Sequence, residues 1–205
     1  MSAVVLTALG KFLFMDHLDW RLPFVVTAII GWVGYIIYRN KTKPGILNYW
    51  GFRTDNFKKV LKKVLPFGIF SVIALISIGL YRDSINITWH IIPVLILYPV
   101  WGIIQQFLLI ALTAGNMQDL KNRKLNKGMI ILCAALLFAS IHYPYIWLIA
   151  GTFILAVFYG WLYLKQRNIY VLGIFHGWLG GIFYYTILNR DPFLEMFGKI
   201  FHFSK

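Results

Sequence analysis

The chain has 205 residues, of which 60% are hydrophobic, 18% aromatic and only 13% charged. Soluble domains carry about 45–50% apolar and about 25% charged residues, so a chain this short cannot bury its apolar surface in a water-soluble core. A soluble enzyme is therefore excluded, and the single cysteine, Cys133, excludes a disulfide-stabilised secreted domain. We predict an all-α fold, a polytopic transmembrane helix bundle that forms a single domain over residues 1–205.

The net charge of +13 would also suit a protein that binds nucleic acid. Nucleic-acid-binding proteins gather their cations on one exposed face, whereas the lysines and arginines of this chain lie between long apolar runs. That pattern is typical of loops on an anionic membrane leaflet. We therefore expect membrane lipids as partners, and no nucleic acid.

The apolar runs predict about six spans, since a transmembrane helix needs about 20 mostly apolar residues. A first apolar piece, residues 3–15, contains Lys11 and is too short to cross, so we predict an interfacial or re-entrant helix there. The predicted spans are residues 22–38, 65–81, 87–114, 128–142, 145–164 and 169–188.

The positions of the charges predict the orientation of these spans. Most of the 20 lysines and arginines follow the first, third and fifth spans. The positive-inside rule places those loops in the cytoplasm and both termini outside. The chain shows no separate targeting segment, so we expect a bacterial or archaeal plasma membrane, with the endoplasmic reticulum membrane as the alternative.

One loop predicts a helix of its own, beginning at Asp55 and covering residues 55–65. Its apolar residues recur at the spacing of one helical face, and four lysines lie on the other face. This pattern is typical of a basic amphipathic helix on anionic headgroups, here leading into the second span. The lysines are Lys58, Lys59, Lys62 and Lys63.

Polar side chains inside the spans are the candidate functional residues, because such residues are costly in a membrane. They are Gln105 and Gln106 in the third span, His90 near its start, His142 at the end of the fourth, and His176 in the sixth. Adjacent helical residues point about 100° apart, so one amide can face the bundle centre while the other bonds to a neighbouring helix. Glutamine cannot serve as a general base, and interhelical hydrogen bonding is the simpler interpretation of the pair.

His142 and His176 have an ordinary interpretation as hydrogen-bonded core residues, but together with the glutamine pair they form a convergent set. Two imidazoles without a carboxylate or thiolate are short of a catalytic zinc site, so we expect no metal and no cofactor. Close helix packing is predicted around His176, where small residues surround it. Those residues are Gly173, Gly177, Gly180 and Gly181.

These same residues carry a resemblance to a known family. QQFLLI (residues 105–110), FASIH (residues 138–142) and HGWLG (residues 176–180) follow one another in the order and spacing of the EExxxR, FxxxH and HxxxN/D motifs of the CPBP intramembrane proteases. That family contains the CAAX prenyl-protein and bacteriocin-processing enzymes. The resemblance covers residues 45–190, including WGFR (residues 50–53) and the basic helix.

The resemblance implies a peptide-bond hydrolase in which a glutamate and the FxxxH histidine activate water, and a later His and Asn support the oxyanion. It assigns the candidate site to Gln105, Gln106, His142 and His176. Where the family has two glutamates, an arginine and an Asn or Asp, this chain has the glutamine pair, Ile110 and Gly180. Loss of the general base alone costs about 10²–10⁴ in rate.

Two functions therefore remain open from the sequence. The first is an intramembrane hydrolase of prenylated or leader-type peptides. The second is an inactive pseudoprotease that keeps the fold as a binding, immunity or accessory partner of a lipidated peptide or another membrane protein. A small-solute carrier is disfavoured, because the predicted spans show neither an inverted repeat nor a broken helix pair.

Overall fold

The computed structural model describes residues 2–120 and 125–201. These residues form helices joined by turns and loops, with no strand among them, which confirms the all-α fold. In chain order the elements are α1 (Ser2–Gly10), a π-helical segment π1 (Lys11–His17), α2 (Arg21–Thr42), α3 (Ile46–Trp50), α4 (Phe57–Tyr81), α5 (Ile91–Gln106), a second π-helical segment π2 (Phe107–Gly115), α6 (Asn116–Gln118), α7 (Lys127–Ser140), α8 (Ile146–Lys165), α9 (Ile169–Thr186) and α10 (Pro192–Phe201).

The centre of the bundle is the antiparallel pair α5 and α9. Helix α4 packs on α9, and α7 pairs with α8. The segment π2 continues α5, and all nine of its residues are buried. Because nine consecutive residues cover every face of a helix, π2 is surrounded by protein on all sides, and it forms much of the hydrophobic core.

Glycines set the distance between α5 and α9. A Cβ added to Gly102 would lie 2.3 Å from the carbonyl oxygen of Gly173, and one added to Gly177 would lie 2.5 Å from the backbone nitrogen of Pro99. The predicted close approach is thus found at Gly173 and Gly177. It is not found at Gly180, where an added Cβ would meet nothing within 4 Å.

Four helices of the described chain are long and apolar enough to cross a membrane: 21–42, 57–81, 91–118 and 146–165. The predicted number of six is not confirmed. Helix α7 has 14 residues and spans only about 21 Å at 1.5 Å per residue. Helix α9 has 18 residues, of which 11 are buried, so most of its surface faces protein.

The basic helix predicted at residues 55–65 is not a separate surface helix. It forms the first turns of α4, which runs without interruption to Tyr81 and contains Pro66. Its predicted faces are nevertheless present, because Val60 and Val64 are fully buried while the four lysines are exposed. Burial of the apolar side against the bundle explains why this helix joins the span.

The N-terminal segment packs against the bundle. Val4 is buried in the main core cluster, and Trp32 of α2 donates a hydrogen bond from Nε1 to Oγ1 of Thr7 at 3.2 Å. Residues 3–15 therefore form helix α1 and most of π1, held against α2 and π2.

Two polar clusters hold the ends of the bundle. At one end, the fully buried Asn168 donates to the carbonyl oxygen of Arg53 and to Oδ1 of Asn56, which ties the WGFR loop to the start of α9. At the opposite end, Asp191 accepts hydrogen bonds from Thr88 and Tyr185. We call these the Asn168 end and the Asp191 end.

Candidate functional site

Gln106 and His176 are in direct contact across the α5–α9 interface. Nε2 of the Gln106 amide lies 2.8 Å from Nδ1 of His176. An amide nitrogen only donates, so Nδ1 accepts and the imidazole carries its proton on Nε2. Gln106 is fully buried and His176 is 8% exposed. The contact depends on the glycine crossing one helical turn away, because larger residues there would separate the two helices.

The Gln106 amide is only half satisfied. Its Oε1 atom is buried and has no hydrogen-bond partner among residues 2–120 and 125–201. A buried acceptor left unpaired costs about 1–3 kcal/mol. This oxygen is therefore the one polar atom of the Gln106–His176 pair that stays open to a further donor.

His142 lies in the turn that follows α7, four residues after Phe138. Its Nδ1 donates to the Phe138 carbonyl oxygen at 2.8 Å. This bond puts the proton of the neutral imidazole on Nδ1 and leaves the Nε2 lone pair available. The FASIH spacing produces the arrangement, since a residue at i+4 is the neighbour of residue i on a helix.

The Phe138 ring contacts both His142 and His176. Its centroid lies 5.1 Å from the His142 ring and 5.2 Å from the His176 ring, and the side chain is fully buried. The structure therefore brings Gln106, His176 and His142 together around one aromatic ring, with Gln106 and His176 in hydrogen-bond contact.

Gln105 does not join this arrangement through a hydrogen bond. Its side chain is half-buried and makes no hydrogen bond within the described part of the chain. Of the adjacent amides, Gln106 is thus the one that bonds to the neighbouring helix. Ile110, at the arginine position of the family motif, is fully buried in the apolar core.

His142 also lines a polar cavity of about 80 Å³ at the Asp191 end. Sequence reasoning missed this cavity, because its walls come from segments far apart in the chain. Its charged residues are Lys11 and Asp16 of π1, Arg21 of α2, and Arg190 and Glu195 near α10. Glu195, which follows the last predicted span in the sequence, shares this cavity with His142.

A second space, of about 620 Å³ and mostly apolar, lies between α1, α2 and the α5–π2–α6 helix. We call it the apolar groove. Gly10 and Phe14 line this apolar groove, whereas Lys11 and Met15, one position further along, line the His142 cavity. The N-terminal segment therefore lines both spaces. No group of three or more His, Cys, Asp or Glu placed to hold a metal ion occurs in the described residues.

These features define a class: a helical integral membrane protein with a histidine and amide site inside its bundle. The family model described as type II CAAX prenyl endopeptidase Rce1-like matches residues 50–181, more than half of the chain. The chain therefore belongs to this family, and the predicted resemblance to the CAAX proteases is confirmed. No curated protein and no solved structure is significantly similar to it.

Proposed function

We propose that the chain is an intramembrane peptide-bond hydrolase for prenylated or leader-type peptides, with His142 as the base that takes a proton from water. The observation that carries this proposal is the hydrogen bond from Nδ1 of His142 to the Phe138 carbonyl, which leaves Nε2 as an acceptor. His142 lines a cavity large enough for water, as a base must.

The apolar groove supports the substrate class. Its volume of about 620 Å³ lies in the usual range of about 300–1,000 Å³ for ligand pockets, and its lining is mostly apolar. The N-terminal segment lines both this groove and the His142 cavity. An apolar chain in the groove would therefore place an attached peptide close to the histidine.

The test is a cleavage assay on the full chain reconstituted in lipid, with prenylated and leader peptides as substrates. We expect His142→Ala to lower turnover by about 10²–10⁴, the contribution of a general base. Phe138→Leu keeps the backbone carbonyl that orients His142 and is the matched control, for which we expect a smaller loss. Turnover that survives His142→Ala unchanged would refute the assignment of the base.

The second candidate is a pseudoprotease that binds such peptides without cleaving them. It is favoured by the glutamines at the positions of the family's glutamates and by the buried Gln106–His176 pair, which contains no carboxylate. This candidate predicts no turnover by the parent chain, measurable binding of a prenylated peptide, and a gain of turnover in Gln105→Glu. Those three results together would overturn the hydrolase proposal.

We further propose that the chain lies in a bacterial or archaeal plasma membrane with its basic loops in the cytoplasm and both termini outside. The exposed lysines at the start of α4 support an anionic leaflet at the Asn168 end. Labelling of single cysteines with a membrane-impermeant maleimide tests this. A cysteine at Thr54 that reacts from outside intact cells would contradict it.

A further inference from the structure

The His142 cavity contains carboxylates outside the family motif, whose two glutamates are replaced in this chain by Gln105 and Gln106. Asp16 and Glu195 both line it, and both lie outside residues 50–181, the part of the chain that matches the family model. A histidine base is more effective beside a carboxylate, because the negative charge stabilises the imidazolium that forms when the base takes a proton. The question is which of the two carboxylates is available to His142.

Glu195 is already occupied. Its Oε2 accepts from Arg21 and its Oε1 accepts from Arg190, so both oxygens are used. Two guanidinium groups around one carboxylate leave a local excess of positive charge, which would oppose an imidazolium.

Asp16 is differently placed. Its Oδ2 accepts from Nζ of Lys11 at 2.6 Å, and Oδ1 has no hydrogen-bond partner among the described residues. Lys11 and Asp16 are five residues apart on π1, where the i to i+5 repeat puts them on one face. Both side chains line the same cavity as the His142 imidazole.

We propose that Asp16 is the carboxylate partner of His142, so that the cavity is a His–Asp site assembled from the N-terminal segment and the FASIH motif. This inference deepens the proposed hydrolase function and rests on it. Asp16 acts through His142 and is a positioning residue.

In the reaction, a cavity water gives a proton to Nε2 of His142 while its oxygen bonds to the carbonyl carbon of the scissile amide. The proton then passes from Nε2 to the amide nitrogen as the C–N bond breaks, which yields a carboxylic acid and an amine. The charge of Asp16 stabilises the imidazolium between the two transfers.

The charges around His142 predict opposite effects for two variants. Asp16 is the negative charge that favours the imidazolium, and Lys11 is the neighbouring positive charge that opposes it. Arg21 and Arg190 are paired with Glu195. Three tyrosines, Tyr98, Tyr145 and Tyr184, complete the titratable lining. Neutralising Asp16 and neutralising Lys11 should therefore shift the pH dependence of His142 reactivity in opposite directions.

The experiment measures the carbethoxylation of His142 by diethyl pyrocarbonate as a function of pH. Peptide mass spectrometry distinguishes modification of His142 from modification of the other histidines. We expect Asp16→Asn to lower the pH of half-maximal reactivity by about one unit, the effect of one nearby charge. Lys11→Gln should raise it. Asp19→Asn is the matched control, because Asp19 pairs with Arg21 and Lys199 and does not line the cavity.

Turnover is measured on the same variants, and we expect Asp16→Asn to lose about tenfold, the equivalent of one pH unit. A pH shift in Asp16→Asn without turnover in the parent would support the His–Asp pair and overturn the hydrolase function. An Asp16→Asn profile that matches Asp19→Asn would overturn the pair, whatever the activity of the parent. Shifts of the same sign in Asp16→Asn and Lys11→Gln would also overturn it.

Discussion

Replacement of Gly177 by alanine tests whether the α5–α9 crossing holds the site together. The new Cβ would lie 2.5 Å from the backbone nitrogen of Pro99 and 2.6 Å from the carbonyl carbon of Tyr98. Non-bonded heavy atoms settle at about 3.5–4.0 Å, so the helices must separate by about 1 Å. The Gln106–His176 bond, 2.8 Å long, would then exceed about 3.5 Å and be lost.

The expected cost combines two terms. Overpacking of a close-packed interface costs about 1–3 kcal/mol, and the lost hydrogen bond adds about 1 kcal/mol. We therefore expect Gly177→Ala to lower the free energy of unfolding by about 2–4 kcal/mol. Reversible unfolding in mixed detergent micelles, followed by circular dichroism, measures this quantity.

Gly180→Ala is the matched control on the same helix. Its added Cβ would meet nothing within 4 Å, so we expect a change within about 0.5 kcal/mol of the parent. If Gly177→Ala were as stable as Gly180→Ala, the helices would not be in backbone contact at this point, and the glycine crossing would not be what holds Gln106 against His176.

Three further predictions concern the ends of the bundle. Gly51→Ala should lower the free energy of unfolding by about 1–3 kcal/mol in the same assay, because Gly51 has φ +90° and its Cβ would lie 2.9 Å from the Arg167 carbonyl carbon. An unchanged free energy of unfolding would refute the close contact between Gly51 and Arg167. Burial opposes ionisation of Asp191, but hydrogen bonds from His90 and Thr88 hold its pKa below the ordinary 3.8. The stabilising effect of the Asp191 carboxylate is thus complete above about pH 4 and is lost as the pH falls through its lowered pKa. Unfolding midpoints measured between about pH 5 and pH 3 should show this pH dependence, and Asp191→Asn should remove it. The four exposed lysines of α4 are Lys58, Lys59, Lys62 and Lys63. Replacing them by glutamine should weaken the binding of anionic lipid by about 1 kcal/mol per lysine and so reduce the lipid that co-purifies with the protein, as measured by native mass spectrometry. Unchanged lipid retention would contradict a lipid-binding role.

Much of the fold follows from local sequence. Each of the six apolar runs corresponds to a helix of the structure, with boundaries that differ by a few residues, because apolar composition and helical period are properties of neighbouring residues. The exception is the basic segment at residues 55–65, whose amphipathic pattern is present but whose continuity with the second predicted span, as one helix α4, is not encoded locally. Continuity there depends on Val60 and Val64 being buried by other helices.

The membrane character, the helical fold and the order of the motif residues were determined by the sequence alone. It also identified both histidines and the glutamine pair. Only the tertiary structure decided which glutamine meets His176, since that depends on the rotation of α5 at its crossing with α9. Helix rotation and depth arise from contacts between residues far apart in the chain. For the same reason, only the structure placed Asp16, 126 residues before His142, on the same cavity.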